Sequence, residues 1–175
     1  MNDVYDRTTI RFHWWVAGII LALWTLGQCI DFFPKGDARI AARSVHITLG
    51  ATLLVLYLLR LRWRRTHGTK LPPADPGMPG KLAIGVHHLL YVLLGCVLLA
   101  GLTAAWFRGD TLFNVFQIPA LFPEGASWRE DIVDVHGLLA NSLFGLALLH
   151  ATAALWHHII KKDTVLRRMW PGIRP

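Results

Sequence analysis

VHGLLANSLFGLALLHATAALWHHII, residues 135–160, decides how this chain is read. The stretch holds no Asp, Glu, Lys or Arg, and as a helix it is long enough to cross about 30 Å of hydrocarbon. It nevertheless carries four histidines: His136, His150, His157 and His158. The first two are separated by about 3.9 helical turns, so they project within roughly 40° of each other and about 21 Å apart along the axis. Two imidazoles on one face at opposite depths of a bilayer suit two stacked haems. The remaining question is whether the rest of the chain supplies two more ligands.

The composition agrees with a membrane setting. The chain has 175 residues, is 54% hydrophobic and carries a net charge of +7, with a mean hydropathy of +0.41. Eight Trp and eight Phe are compatible with interfacial aromatic belts. A nucleic-acid-binding protein would instead carry its basic residues as a stripe on a soluble domain, so nucleic acid is not an expected partner. Cys29 and Cys96 are too far apart for a metal motif and read as buried free thiols. The start, MNDVYDRTTIRFHWW, lacks a small-residue cleavage site after its apolar run, so that run is expected to remain as a span.

Four apolar spans stand out, at about residues 10–30, 45–61, 82–106 and 132–160. The second is the shortest, and Arg43 and Arg60 are expected to snorkel at its ends. Between the spans lie FFPKGDAR, RWRRTHGTKLPPADPGMPGK and FRGDTLFNVFQIPALFPEGASWRED. The expected fold is all-α, a single domain over 1–175 forming an integral membrane four-helix bundle. The last loop, from Phe107 to Asp131, should lie on the membrane surface or cap the bundle. Ser127 followed by Glu130 is a capping-box pattern that would start a helix leading into the fourth span.

Lys and Arg set the orientation. With the N-terminus inside, the inner segments hold Arg7, Arg11, Arg60, Arg62, Arg64, Arg65, Lys70, Lys81, Lys161, Lys162, Arg167, Arg168 and Arg174. The outer segments hold only Lys35, Arg39, Arg43, Arg108 and Arg129. This predicts both termini on the cytoplasmic side of a bacterial inner membrane. Most acids then fall outside, and the outer loops are net negative by about two charges.

Depth then sorts the histidines. Intramembrane histidine is rare and costly, and eight in one small bundle exceed what helix-to-helix hydrogen bonding requires. His136 begins the fourth span at the outer side, and His46, at the outer start of the second, is the one other histidine at that depth. An outer haem would therefore use His46 and His136. The inner side is crowded, because His13, His87 and His88 can all face His150, and depth does not separate them. Small residues near these positions (Ala17, Gly50, Ala140, Ala147) and along the third span (Gly85, Gly95, Gly101) leave room for a planar cofactor, although they are also ordinary helix-packing devices. A bis-histidine iron has no open position, which suits electron transfer rather than oxygen binding. Zinc is the competing use of histidine. The 21 Å between His136 and His150 forbids one shared zinc site, whereas an inner site from His87, His88, His157 and His158 is not excluded by spacing.

Several segments together resemble the bacterial cytochrome b561 family, small four-helix dihaem b cytochromes, and within it the superoxide oxidase type. They are His13-Trp14, FFPKG at 32–36, His46 with Gly50, Arg108-Gly109, VHGLLAN at 135–141 and HATAALWHHIIKKDTVLRRMWP at 150–171. The similarity runs over essentially the whole chain, and the last segment is the most specific. It implies two haem b groups, the inner one held by His13 and His150 and the outer one by His46 and His136. It also implies ubiquinone as electron acceptor and superoxide oxidation at the outer face. One position departs from the pattern: Gly137 follows the outer ligand where relatives carry Glu, which bears on that haem's potential or access.

On this reading electrons pass inward from the outer side to quinone. Superoxide is an anion, and Lys35, Arg39, Arg43 and Arg108 are candidates to steer it or to pair with haem propionates. His157, seven residues past His150, is about 20° off the same face and is the candidate quinone contact. His87, His88 and His158 could complete a proton route, since histidine has the pKa to relay protons. Membrane lipid, superoxide and ubiquinone are the expected partners, with no obligate protein partner. The alternative is a cytochrome b subunit relaying electrons between quinone and a separate dehydrogenase or carrier protein.

Overall fold

The computed structural model describes residues 4–120 and 128–173, and for Arg129 the backbone alone. Four helices, α1 (Arg7–Cys29), α2 (Asp37–Thr66), α3 (Gly77–Arg108) and α4 (Trp128–Trp156), make up most of it. Each contains a window long and apolar enough to cross a membrane. The chain is an all-α membrane helical bundle. Helix α1 packs on α2 and α4, and α3 packs on α2 and α4, closing a ring in which α2 and α4 lie diagonally. A small core of Val16, Leu23, Leu53, Leu94, Leu98 and Leu143 joins all four helices. Most other apolar side chains face outward, as with Val55, Val92 and Leu99. In lipid this costs nothing, because acyl chains are as apolar as leucine.

The helices outrun the apolar spans that announced them. Helix α2 covers 30 residues, against the expected 45–61, because nothing breaks it where its sequence turns charged. It starts after Gly36, whose φ of 101° few side chains tolerate. Helix α3 opens at Gly77 and ends in the left-handed Gly109, whose N–H donates to the Ala105 carbonyl. Helix α4 begins at Trp128, while Ser127 and its capping-box pattern lie outside the described residues.

The ends are tied by short polar devices. The Asp6 carboxylate caps α1 through Thr9 N–H at 2.8 Å and the Thr9 hydroxyl at 2.6 Å. It also accepts from Trp63 Nε1 at 3.1 Å and from Thr69 N–H at 3.0 Å, binding the start of α1 to the end of α2. The Tyr5 N–H donates to the Arg168 carbonyl at 3.1 Å, so both termini share one end of the bundle. At the other end a hairpin, β1 (Thr111–Leu112) against β2 (Phe116–Gln117), lies beside α2. After Trp156 the chain widens into a π-helical turn, His157–Lys161, closed by Lys162 in the left-handed region.

Candidate functional site

Two levels of the bundle collect the histidines. At the level near the hairpin, His46 of α2 and His136 of α4 face each other across the diagonal, with ring centroids 6.2 Å apart and planes at 87°. Glycine makes the room. A Cβ on Gly101 of α3 would sit 2.8 Å from His136 Cε1, and one on Gly27 of α1 would sit 3.4 Å from His46 Cε1. The bare backbone at Gly101 also lets His136 Nδ1 approach the Val97 carbonyl at 3.0 Å. Donation to that carbonyl fixes the tautomer and leaves Nε2 for a metal. The Nδ1 of His46 is buried with no hydrogen-bond partner.

At the level near the termini, His13 of α1 and His150 of α4 have centroids 6.4 Å apart, planes at 73°. His87 of α3 lies 5.1 Å from the same His150 ring. Arg60 of α2 does not snorkel outward as expected. Its Nη2 lies 3.5 Å from His13 Nδ1, and its guanidinium sits over the Tyr91 ring at 5.1 Å. That position keeps a cation against an aromatic face where water is scarce.

These distances test the fit of a bis-histidine iron. With metal–imidazole nitrogen bonds of about 2.0–2.1 Å, two rings on opposite sides of one metal have centroids about 6.3 Å apart. The His46–His136 and His13–His150 spacings match that value. The His87–His150 spacing of 5.1 Å is too short for it. His87 Nδ1 meets the Ala83 carbonyl at 2.6 Å and His88 Nδ1 the Ile84 carbonyl at 2.8 Å, contacts of the kind His136 makes with Val97. The residues present fit haem at both levels. No group of three or more His, Cys, Asp or Glu side chains is placed to hold one metal ion among the described residues.

The other candidates fall at the two ends. Near the hairpin, Arg43 and Arg108 converge on Asp110, at 3.2 and 3.6 Å. Arg39 reaches Asp31 at 3.5 Å and donates to the Phe33 carbonyl at 2.8 Å. Lys35 is exposed nearby. At the opposite end the α-helix gives way after Trp156 to the π-helical turn that begins at His157. The His157 Nδ1 binds Asp163 at 2.5 Å, and its Nε2 lies 3.6 Å from Asp75. Lys161 also reaches Asp75, at 3.5 Å. Burial alone would raise the Asp163 pKa, but the Val165 N–H, His157 and Lys161 outweigh it and hold the carboxyl below its ordinary value. Asp75 and Asp163 were not singled out from sequence, and Arg60 was expected only as a snorkelling cation. Asp75 lies in a proline-rich loop and Asp163 follows an irregular turn, so no periodicity marked either.

Comparison with known proteins identifies the family. A probable superoxide oxidase CybB of Yersinia pestis is 28% identical over 99% of both chains. Cytochrome b562 of Cereibacter sphaeroides is 30% identical over 94% of both. Cytochrome b561 homolog 1 of Escherichia coli K12 is 27% identical over 95% of this chain and 97% of its own. The family model for prokaryotic cytochrome b561 matches residues 4–172. Four membrane helices with facing histidines, and a match over nearly the whole length, lead to one conclusion: the chain belongs to the prokaryotic cytochrome b561 family of membrane electron-transfer proteins.

Proposed function

We propose that this chain is a dihaem b cytochrome that oxidises superoxide at its hairpin end and reduces ubiquinone at its terminal end. The observation that carries the reading is the pair of facing imidazoles at each of two levels, His46–His136 at 6.2 Å and His13–His150 at 6.4 Å. These four histidines would hold the two haem irons. Haem iron held by two histidines supplies a reversible one-electron carrier with no open coordination position. The excess of Lys and Arg at the terminal end supports a cytoplasmic location for that end and a periplasmic one for the hairpin end.

The chain's own groups divide the remaining work. Arg43, Arg108, Arg39 and Lys35 give the hairpin end its cations, which draw in an anion or hold carboxylate groups of the cofactor. The two histidine levels are about 21 Å apart along α4. At the terminal end two electrons and two protons convert the quinone to the quinol, while two superoxide anions become two molecules of dioxygen. A cleft of about 480 Å³ bordered by Asp75, Pro76, Lys81 and Ile84 lies beside the His157 contacts and supports that end as the quinone side. His157, held between Asp163 and Asp75, is suited to pass a proton to a reduced quinone oxygen. His87, His88 and His158 complete the candidate proton route.

The test has two arms. His13, His46, His87, His136 and His150 are replaced singly by Ala and haem per protein is counted. Loss at His13, His46, His136 and His150 with retention at His87 is expected. Loss at His87 with retention at His13 would overturn the ligand set. Stopped-flow mixing of the oxidised protein with superoxide should then give rapid haem reduction, reoxidised by added ubiquinone. Haem that superoxide leaves oxidised would sink the substrate assignment.

A further inference from the structure

The hairpin at residues 111–117 lies in the loop expected on the membrane surface or as a cap, and the proposed chemistry gives it no part. Its two-residue tip, Phe113-Asn114, has φ values of 54° and 56°, and the Val115 N–H closes it on the Leu112 carbonyl at 3.1 Å. In a hairpin standing in water the two tip amides would be solvated. Here both are met by hydroxyls of α2. The Phe113 N–H donates to Thr48 Oγ1 at 3.0 Å and the Asn114 N–H to Ser44 Oγ at 2.6 Å. Ser44 is 1% exposed. Internal satisfaction of backbone amides is what a segment beside lipid requires and what an aqueous loop does not.

Depth along α2 agrees. The helix leaves the membrane at its other end through the exposed Arg62, Arg64 and Arg65. At 1.5 Å per residue, Thr48 and Ser44 lie about 21 and 27 Å from Arg62, within one hydrocarbon thickness of about 30 Å. The base of the hairpin is fixed at the charged boundary, where Asp110 meets Arg43 at 3.2 Å. From there the hairpin runs inward along α2 to the level of His46. Around its tip Phe113, Val115 and Phe116 are 60, 76 and 65% exposed. Three large apolar side chains so exposed would be costly in water and favourable in lipid.

We propose that the 111–117 hairpin is a membrane-seated wedge, its Phe113, Val115 and Phe116 side chains buried in the acyl-chain boundary of the leaflet at the His46 end. Lipid is the partner, continuing the apolar surface that α2 and α3 already present. The wedge fixes the depth of this end of the bundle.

The test uses the haem-loaded protein in phosphatidylethanolamine–phosphatidylglycerol vesicles. A nitroxide is attached at Val115→Cys after Cys29→Ala and Cys96→Ala, and its collision rates with oxygen and with a water-soluble nickel chelate are compared. Val55→Cys, on the outward face of α2, is the lipid reference, and Asp37→Cys is the aqueous one. The oxygen-to-nickel ratio at position 115 should approach that at 55 and exceed that at 37 several-fold. A ratio like that at 37 would overturn the wedge. So would protection from both reagents, which would mean that a second copy of the chain covers the hairpin. Phe116→Cys repeats the measurement at the start of β2, so poor yield at position 115 does not end the test.

Discussion

His136 Nδ1 lies 3.0 Å from the Val97 carbonyl, a contact open to it because the residue one turn further along α3 is glycine. Helix carbonyls are normally screened by the side chain that follows, and Gly101 has none. A Cβ there would fall 2.8 Å from His136 Cε1 and 3.1 Å from its Nδ1. Gly101→Ala should therefore displace the imidazole, remove its hydrogen bond and weaken haem binding at this level alone. On the proposed dihaem reading, haem per protein should fall from two towards one, and the haem that remains should keep its spectrum. An unchanged haem count and unchanged midpoint potentials would show that the Gly101 contact does not position His136.

Much of this site was legible in the chain. The fourteen-residue spacing of His136 and His150 lies wholly within the continuous helix α4, so regular helical geometry could carry it. His46 could be matched to His136 because charge topology gave it a depth. His13 could not be separated from His87 in the same way. That choice turns on a difference between 6.4 and 5.1 Å across helices, which no one-dimensional spacing contains. The partners of His157, Asp163 and Asp75, lie beyond the α-helix, after a π-turn and in a separate loop, where no helical step projects. The hairpin was hidden as well. Its tip is Phe-Asn rather than the Asn-Gly or Asp-Gly that marks such turns, and α2 hydroxyls hold it in place. The helix ends ran past the apolar spans because hydropathy registers the hydrocarbon-length portion of a helix and not the charged turns beyond it.

The short contact between His157 Nδ1 and Asp163 predicts a separable defect. Asp163→Asn keeps the size of the side chain but removes the negative charge that orients the imidazole. Ubiquinone reduction should slow about tenfold, less than the roughly 10²–10⁴-fold of losing a proton-transfer group outright, because His157 itself is kept. Haem content and the rate of haem reduction by superoxide should stay as they were. A variant in which both half-reactions slow together would assign Asp163 to folding rather than to proton delivery.

Gly80 gives a prediction with its own control. A Cβ on Gly80 would meet the Asp75 carbonyl oxygen at 2.2 Å and Pro73 Cβ at 3.1 Å. Backbone cannot swing aside as a side chain can, so Gly80→Ala should cost about 1–3 kcal/mol. The loop carrying Asp75 should also shift away from His157 and Lys161, raising the KM for quinone. Gly85, on the same helix, has nothing within 4 Å of such a Cβ. Gly85→Ala should be neutral or stabilising by up to about 1 kcal/mol, because alanine is the better helix former. Thermal loss of haem absorbance in detergent distinguishes the two variants, and equal midpoints would refute the steric reading.

Asp6 carries the strongest pH consequence outside the spans. Burial alone would raise its pKa, but donation from the Thr9 hydroxyl, the Thr69 and Thr9 N–H groups and Trp63 holds it well below the ordinary carboxylate range. A carboxyl whose folded pKa is depressed binds fewer protons than in the unfolded chain. Its contribution is therefore complete above the unfolded pKa of about 3.9 and declines as pH falls below it. Asp6→Ala should destabilise the protein by about 0.5–2 kcal/mol at neutral pH, the usual cost of losing a helix N-cap. It should also free the α1–α2 tie at Trp63 and Thr69. The difference in thermal midpoint between wild type and variant should be flat from pH 5 to 8 and should narrow below about pH 4. A gap that widens on acidification would mean that the Asp6 carboxylate is not stabilised by its four donors.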